Sequence, residues 1–319
     1  MRHDEAHWHL GLILENTDQS PGAHSRVPLA ECRSFSSTSS FGVLVRKVAR
    51  EVDVEPRALA VRALLHLPRV ASRTGWVTNW RVKREVEISA EQLGQDIQGA
   101  RKFLPVGKFP LCDLAFEEID SRRAVPVLSL LHYLRSARPG SRYFALVDPV
   151  HSLPVSLCSV CPLEWKRVGS QISTQFAIPR ERVWDVSRVY SVDGAPPNAI
   201  SSLLSRVRTY LRRSMSAADL LVTAVDPNLG FTGGSYRAAN WQQWMTIQAR
   251  PYVYEYRRYV TPRQLRERFG TSSLVELHAQ YPGRFEQSKV RLLDSMIYCC
   301  SVNGETKVVP AQERRRLHR

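Results

Sequence analysis

The sequence predicts an α/β fold in which a central mixed sheet is flanked by helices. Residues 219–226 form a short apolar run that ends in Asp226 and leads into a glycine-rich turn, a pattern typical of a buried central strand. Residues 183–192 form a second strand-like run, which is followed by the amphipathic helix 198–213. With a further helix over 235–244, these segments predict a strand–helix–strand–helix core.

Other elements are expected on both sides of this core. Thr261 is a good helix N-cap, with Pro262 at the first helical position. In chain order the patterns predict a helix over 125–134, a hairpin of strands 143–148 and 154–160, a strand over 173–178, the core itself, a strand over 252–260, the helix from 262 and a strand over 292–301.

Composition divides the chain into four segments. These are a flexible tail or linker (1–40), a basic, partly helical extension (41–115), the α/β domain (116–310) and a basic tail (311–319). In the extension, a basic ribbon over 76–89 and a capping box over 89–92 are compatible with a winged-helix DNA binder. A structural extension packed on the α/β domain is the alternative.

The charge balance favours a nucleic-acid partner. The net charge is +15, and 38 of the 45 basic residues are Arg, whose planar guanidinium suits bidentate phosphate contacts. A solvated basic surface is the alternative. No apolar run approaches the roughly 18 residues of a membrane helix, and no signal peptide is evident. We therefore expect a cytoplasmic protein with no membrane partner and with reduced cysteines.

Two pairs of cysteines are candidate metal ligands. Cys158 with Cys161, and Cys299 with Cys300, could together supply four thiolates for zinc. Both pairs lie in apolar, strand-like sequence, and their spacing does not match a paired CxxC motif. Burial in the core is the better interpretation.

The start of helix 198–213 is a candidate anion site. Asn198 is a suitable N-cap, and Ser201 and Ser202 fall in the first turn, where unpaired amide groups and the helix dipole suit a pyrophosphate. Arg188, on the preceding strand, could add a charge-assisted contact. The alternative is an ordinary capped helix.

An aromatic strand is a candidate nucleic-acid surface. Tyr252, Tyr254 and Tyr256 alternate, so one strand face carries three rings, and Arg257 and Arg258 follow. Stacking rings beside Arg suit nucleic acid. A tyrosine-lined sheet face under a helix is equally compatible.

The order of these elements resembles the GNAT acyltransferase fold, and the motifs resemble the Mom family of phage DNA-modification proteins, a divergent branch of that fold. The resemblance covers about residues 124–300. It rests on His132-Tyr133, Ser187-Arg188, Asn198, Ser201, Asp226-Pro227, Gly230, Thr232-Gly233, Tyr236, Ala238, Asn240 and Trp241. The turn before helix 198–213 lacks the G-x-G of ordinary GNAT enzymes.

The resemblance implies an activity and a cofactor. It implies conversion of adenine in double-stranded DNA to an N6-carbamoylmethyl form that protects phage DNA from restriction, in the cytoplasm of a phage-infected or lysogenic bacterium. It implies acetyl-CoA as donor, held by Arg188, Asn198, Ser201 and Ser202. It also implies an iron ion, for which His132 is the candidate ligand.

Four catalytic roles follow from the same resemblance. His132 addresses the amino group, and Tyr133 stacks on a flipped base. Asp226 orients His132 or accepts a proton, and Tyr236 protonates the departing thiolate. Two alternatives stay open: a GNAT acetyltransferase for a small amine, peptide or RNA, and a non-catalytic DNA-binding protein.

Overall fold

The computed structural model describes residues 25–36, 38–215, 218–304 and 308. The first 24 residues of the predicted flexible tail and the whole of the predicted basic tail (311–319) lie outside this part of the chain. Within it, no helix is both long enough and apolar enough to cross a membrane.

The described residues form ten α-helices and twelve strands. The helices are α1 (Leu29–Arg33), α2 (Ser40–Val52), α3 (Pro56–Val70), α4 (Asn79–Ala100), α5 (Ser121–Leu130), α6 (Lys166–Phe176), α7 (Ala199–Ser214), α8 (Gly234–Ala238), α9 (Pro262–Phe269) and α10 (Leu274–Gln280). The strands are β1 (Arg26–Pro28), β2 (Trp76–Thr78), β3 (Ala115–Ile119), β4 (Arg142–Val147), β5 (Pro154–Pro162), β6 (Val183–Ser191), β7 (Leu220–Val225), β8 (Gln242–Ile247), β9 (Val253–Glu255), β10 (Arg258–Val260), β11 (Phe285–Gln287) and β12 (Ser295–Ser301).

The chain divides into two compact units that are not continuous in sequence. The first unit comprises Met1–Gln95, Asn228–Gly230 and Ala249–Leu293, and the second comprises Asp96–Pro227, Phe231–Gln248 and Asp294–Arg319. The domain boundary predicted near residue 115 does not coincide with this division, because the segment 249–293 belongs to the same unit as the N-terminal helices. The Tyr254 hydroxyl donates to the Leu65 carbonyl at 2.8 Å, for example. Residues 26–33, within the predicted flexible tail, form β1 and α1.

The second unit contains the predicted mixed sheet flanked by helices. Its strand order is β3-β4-β5-β6-β7-β12-β8, with β6 and β7 parallel and the other described neighbours antiparallel. The predicted hairpin is β4 with β5. Helix α7 covers one face through a buried stripe at helical spacing, as predicted. Helix α5 packs on the other face.

Two sequence predictions in this unit are wrong. Residues 173–178 fall largely in α6, because Val168 and Ile172, four residues apart, bury one helical stripe. The helix predicted over 235–244 ends after little more than one turn. The chain reverses at Asn240, which has a φ of 62°, and continues as β8 beside β12.

In the first unit, the predicted ribbon over 76–89 is instead mostly helix. Helix α4 continues through the predicted capping box, and Ser89 lies buried in its interior. The helix forms here because its buried positions recur every three or four residues, at Val82, Val86, Ala90 and Leu93. The described residues therefore lack the ribbon that the winged-helix interpretation requires.

The predicted strand over 252–260 is a tight hairpin of β9 and β10. Tyr252 and Tyr254 are buried, while Tyr256 lies in the turn and is exposed. The three rings therefore do not form one accessible face. Helix α9 starts as predicted, with a capping box formed by Thr261 and Gln264.

Candidate active site where β6 and β7 diverge

Strands β6 and β7 pair only at their first residues. Val183–Asp185 lie opposite Leu220–Val222 in parallel register, and no pairing of these two strands follows. Just beyond, Thr223 Oγ1 donates to the Val186 carbonyl at 2.8 Å. On its other edge, β6 carries a register shift against β5 next to Arg188. The two central strands therefore separate in the middle of the sheet.

Tyr236 lies at this divergence. Its hydroxyl is 3.4 Å from Thr223 Oγ1, and its ring packs against Trp241 and Tyr298, with centroid distances of 5.5 and 5.7 Å. Burial raises the pKa of Tyr236 to about 12. The phenol is thus protonated at neutral pH, and burial makes it a weaker acid than an exposed tyrosine.

Gly233 shapes the turn that carries Tyr236. Its φ is +74°, and a Cβ there would lie 2.3 Å from the Tyr298 hydroxyl oxygen. Any side chain would clash and strain the backbone. Arg237 fixes the same turn, because its Nη1 donates to the Thr232 carbonyl at 2.6 Å and to the Tyr298 hydroxyl at 2.9 Å.

A cavity of about 330 Å³ opens at the start of α7. It is lined by Ser191, Ala195, Pro196, Asn198, Ala199, Ile200, Ser201, Gly234, Ser235 and Ala238. Asn198 occupies the N-cap position with a φ of 64°, but its side chain makes no capping bond. Ser201 donates its hydroxyl to the Asn198 carbonyl at 3.0 Å. Neither Ser202 nor Arg188 is among the residues that line the cavity.

His132 and Tyr133 lie in a loop and not at a helix end, because α5 ends at Leu130. His132 is 5% exposed, and its ring stacks on Tyr133 at a centroid distance of 4.5 Å. Its Nδ1 accepts from the Leu134 amide at 3.2 Å. A neutral ring with this bond carries its proton on Nε2.

Tyr133 connects this loop to the glycine-rich turn. Its ring centroid is 5.7 Å from that of Phe231, which begins the turn leading to Tyr236. The structure therefore brings the Tyr133 ring to the start of the turn that leads to Tyr236.

Arg188 holds the same loop. Its Nε and Nη2 donate to the Ser136 carbonyl and hydroxyl at 2.9 and 3.1 Å, and its Nη1 donates to the Ser187 carbonyl at 2.6 Å. All three guanidinium nitrogens thus contact protein oxygens. The sequence predicted a cofactor contact, whereas the structure directs this side chain to the loop that carries Tyr133.

The ion pair of the buried residues Arg138 and Asp185 was not predicted from the sequence. Arg138, in the loop after α5, donates to Asp185 at 2.5 Å and to Glu164 at 2.6 Å. Burial raises the pKa of Asp185 to about 6, against the attraction of Arg138. The signal available in the sequence was a carboxylate inside an apolar strand, which requires a partner when buried.

Asp226 directly follows β7 and is partly buried. It stands at the carboxyl end of the strand whose Thr223 approaches Tyr236, in keeping with the sequence prediction. Its catalytic role stays a prediction.

The residues present do not fit an iron centre. Among the described residues, no group of three or more His, Cys, Asp or Glu side chains could hold a metal ion. His132 Nδ1, moreover, already accepts a backbone hydrogen bond. Both predicted cysteine pairs are buried thiols in the sheet core.

Comparison with known proteins identifies a family. The model of the Mom protein family matches residues 113–308, which is more than half of the chain. No curated protein matches.

Several solved acetyltransferase structures show a weak likeness. Spermidine N-acetyltransferase from Vibrio cholerae, in complex with CoA and spermine, is 7% identical with a TM-score of 0.34, covering 60% of this chain and 96% of that one. Aminoglycoside N(6')acetyltransferase from Legionella pneumophila is 6% identical with a TM-score of 0.30, covering 62% and 95%. Ribosomal-protein-S5-alanine acetyltransferase from Vibrio fischeri is 8% identical with a TM-score of 0.27, covering 90% and 98%. At these scores the likeness carries no argument about substrate.

Proposed function

The chain belongs to the Mom protein family, and on that premise we propose that it transfers an acyl group from acetyl-CoA to the N6 amino group of adenine in DNA. The observation that carries the proposal is the position of the Tyr236 hydroxyl, beside Thr223 where β6 and β7 separate. A protonated phenol at such an opening can serve a departing thiolate. The product of this transfer is N6-acetyladenine. The N6-carbamoylmethyl group that the family resemblance implies contains one more nitrogen, so its formation requires a nitrogen donor and a two-electron oxidant in addition to acetyl-CoA.

The cavity at the start of α7 fits the phosphate end of acetyl-CoA. Amide groups in the first turn of a helix lack intrahelical acceptors and lie at the positive end of its dipole. Asn198, Ser201 and Ser235 add polar side chains to the wall. When bound, acetyl-CoA supplies the activated acyl carbon. The proposed roles of Asn198 and Ser201 are to hold its pyrophosphate, and Ser202 stands one residue further along.

On the leaving-group side, the proposed role of Tyr236 is that of general acid. The amino nitrogen attacks the thioester carbonyl, the carbon–sulfur bond breaks, and the sulfur takes the phenolic proton. With its pKa raised to about 12 by burial, the phenol carries its proton at neutral pH and releases it only to the negative charge that develops on the sulfur.

On the acceptor side, the loop of His132 and Tyr133 holds the base. Tyr133 offers a ring on which a flipped adenine can stack. The proposed role of His132 is to address the amino group of the base, beside the Tyr133 ring on which it stacks. Asp226 is the proposed acceptor of the proton that the amino group loses.

Mass spectrometry of nucleosides tests this function. DNA from cells that express the protein should contain a modified deoxyadenosine, and purified protein with acetyl-CoA should acylate adenine in a duplex oligonucleotide. Unmodified adenine from a folded preparation that does bind acetyl-CoA would contradict the proposal. Acetylation of a polyamine, peptide or RNA in parallel reactions would then support the ordinary acetyltransferase alternative.

A further inference from the structure

In the part of the first unit that the structure describes, three large aromatic side chains are exposed. Trp76 is 43% exposed, Trp80 is 63% exposed and Tyr256 is 72% exposed. A single exposed ring is common on protein surfaces, but several exposed rings in one region can mark a binding site. None of the three takes part in the active site described above.

An ion pair joins the two chain segments that carry Tyr256 and Trp80. Tyr256 lies at the tip of the β9–β10 hairpin, and the next residue, Arg257, pairs with Glu85 of α4 at 2.9 Å. Trp80 lies in the first turn of the same helix. The hairpin tip is therefore fixed beside the N-terminal half of α4.

The backbone at the hairpin tip is strained. Tyr256 has a φ of 46° and Arg257 a φ of 70°, although neither is glycine. A two-residue turn of this kind normally carries Asn-Gly. Such strain persists only where neighbouring contacts maintain it, and it often accompanies a functional position. Here Arg257–Glu85 and the Arg284 guanidinium, 5.6 Å from the Tyr256 ring centroid, maintain it.

The net positive charge of the first unit favours a polyanionic partner. Its described residues hold 21 Lys and Arg against 11 Asp and Glu. Within four residues of the three rings in sequence, exposed basic residues are Arg73, Arg81, Lys83, Arg84 and Arg258. Glu85, the carboxylate between α4 and the hairpin, is already paired with Arg69 and Arg257. Aromatic rings separated by cations suit nucleic acid better than an apolar protein partner.

We propose that Trp76, Trp80, Tyr256, Arg73, Arg84 and Arg258 form a DNA-binding surface, termed here the aromatic–basic surface. The rings stack on unpaired bases, and the guanidinium groups contact phosphates. This inference rests on the proposed function, since it takes DNA as the substrate, and it adds a DNA contact that the active site does not supply.

Affinity measurements with matched variants test the surface. The probe is a fluorescein-labelled DNA duplex with a single-stranded stretch, compared with a fully paired duplex. We expect the double variant Trp80→Ala/Tyr256→Ala to bind the partly single-stranded probe about tenfold or more weakly, with a smaller loss on the full duplex. The control Trp165→Ala removes a ring of 43% exposure from the second unit and should leave both affinities unchanged.

The charged positions have a separate readout. The double variant Arg84→Gln/Arg258→Gln should lower the slope of log K against log salt by roughly one to two, while the ring variant should leave that slope unchanged. Melting temperatures should stay at the wild-type value for all variants, because the substituted side chains are exposed.

Different results would overturn the inference and the proposed function. Three results would contradict the proposed surface. They are wild-type DNA affinity in the ring variant, equal losses of affinity for both probes, and no DNA binding by a wild-type protein that binds acetyl-CoA. Nucleoside analysis judges the chemistry independently. A protein that binds DNA through these rings but modifies no adenine would contradict the proposed function alone.

Discussion

At the residue scale, the chemistry of the site depends on how two side chains are held. The Tyr236 hydroxyl touches Thr223, and burial keeps it protonated. Arg188 donates from all three nitrogens to Ser136 and Ser187. One side chain therefore presents a proton to the divergence of β6 and β7, and the other fixes the loop beside it.

Removal of the Tyr236 hydroxyl should slow catalysis strongly and leave acetyl-CoA binding unchanged. For Tyr236→Phe we expect kcat to fall by about 10²- to 10⁴-fold, since a general acid is worth that much. The dissociation constant for acetyl-CoA, measured by calorimetry, should change by less than about threefold. Tyr281→Phe, which removes a hydroxyl in the other unit, is the control. Undiminished turnover in Tyr236→Phe would assign the proton transfer to another group.

Substitution of Arg188 should impair catalysis by releasing the loop that carries His132 and Tyr133. Arg188→Ala leaves Ser136 without its donors, so we expect a lower kcat and a higher KM for DNA. The acetyl-CoA dissociation constant should again stay within about threefold, because Arg188 does not line the cavity. Ser201→Trp, which fills the cavity wall, should weaken acetyl-CoA binding and serves as the contrast. Loss of acetyl-CoA binding in Arg188→Ala would restore the cofactor role that the sequence predicted.

At the element scale, local patterns predicted those elements whose stability is local. The stripe of α7 and the β4–β5 hairpin agree with their sequence patterns, because each is specified within about twenty residues. The short α8 could not be predicted in this way. Its end is set by β8, which pairs with Ser295–Cys299 some fifty residues away. Asp185 and Arg138 are likewise 47 residues apart, so no local pattern could join them.

The glycine turn before α8 provides a prediction about stability. Gly233→Ala combines a φ of +74° with a Cβ 2.3 Å from the Tyr298 hydroxyl oxygen. Gly270→Ala has a φ of +75° with open space around the Cβ, and it isolates the backbone cost, about 1 kcal/mol. We expect urea unfolding to show a loss of at least about 2 kcal/mol for Gly233→Ala, with reduced activity. Equal losses for the two variants would show that Tyr298 moves aside freely.

The ion pair of Arg138 and Asp185 provides a prediction about pH. Burial raises the pKa of Asp185 from 3.8 to about 6, so the folded state binds a proton more tightly than the unfolded state does. The resulting stabilisation is complete below the unfolded pKa and is lost as pH rises through about 6. Measured by urea unfolding, the stability of the wild type relative to Asp185→Asn should fall by about 2 kcal/mol between pH 4 and 7. A rise over that interval would show that Arg138 outweighs desolvation.

At the scale of the whole molecule, the continuous segment that the family model matches has residues in both units. Residues 113–308 include 249–293, which folds with the N-terminal helices. Arg69 pairs with Glu286 across 217 positions, and Tyr254 bonds to Leu65. A division based on composition assumes that each domain is one continuous stretch of chain. It therefore could not predict that residues 249–293 fold with the N-terminal helices. The same arrangement brings Arg257 to Glu85 and creates the aromatic–basic surface.

The six cysteines report on the packing of both units in one experiment. All are free thiols; Cys112 is exposed, whereas Cys32 lies in the core of the first unit and four others in the sheet of the second. Burial raises the pKa of Cys32 and Cys158 to about 12, which suppresses the reactive thiolate further. We expect iodoacetamide to alkylate Cys112 rapidly in the native protein and the other five only as slowly as the structure opens. Peptide mass spectrometry would assign each site, and denaturant should release all six. The variant Cys112→Ser should show no fast site, and rapid labelling of Cys158 or Cys299 in it would contradict the packed sheet on which the active site depends.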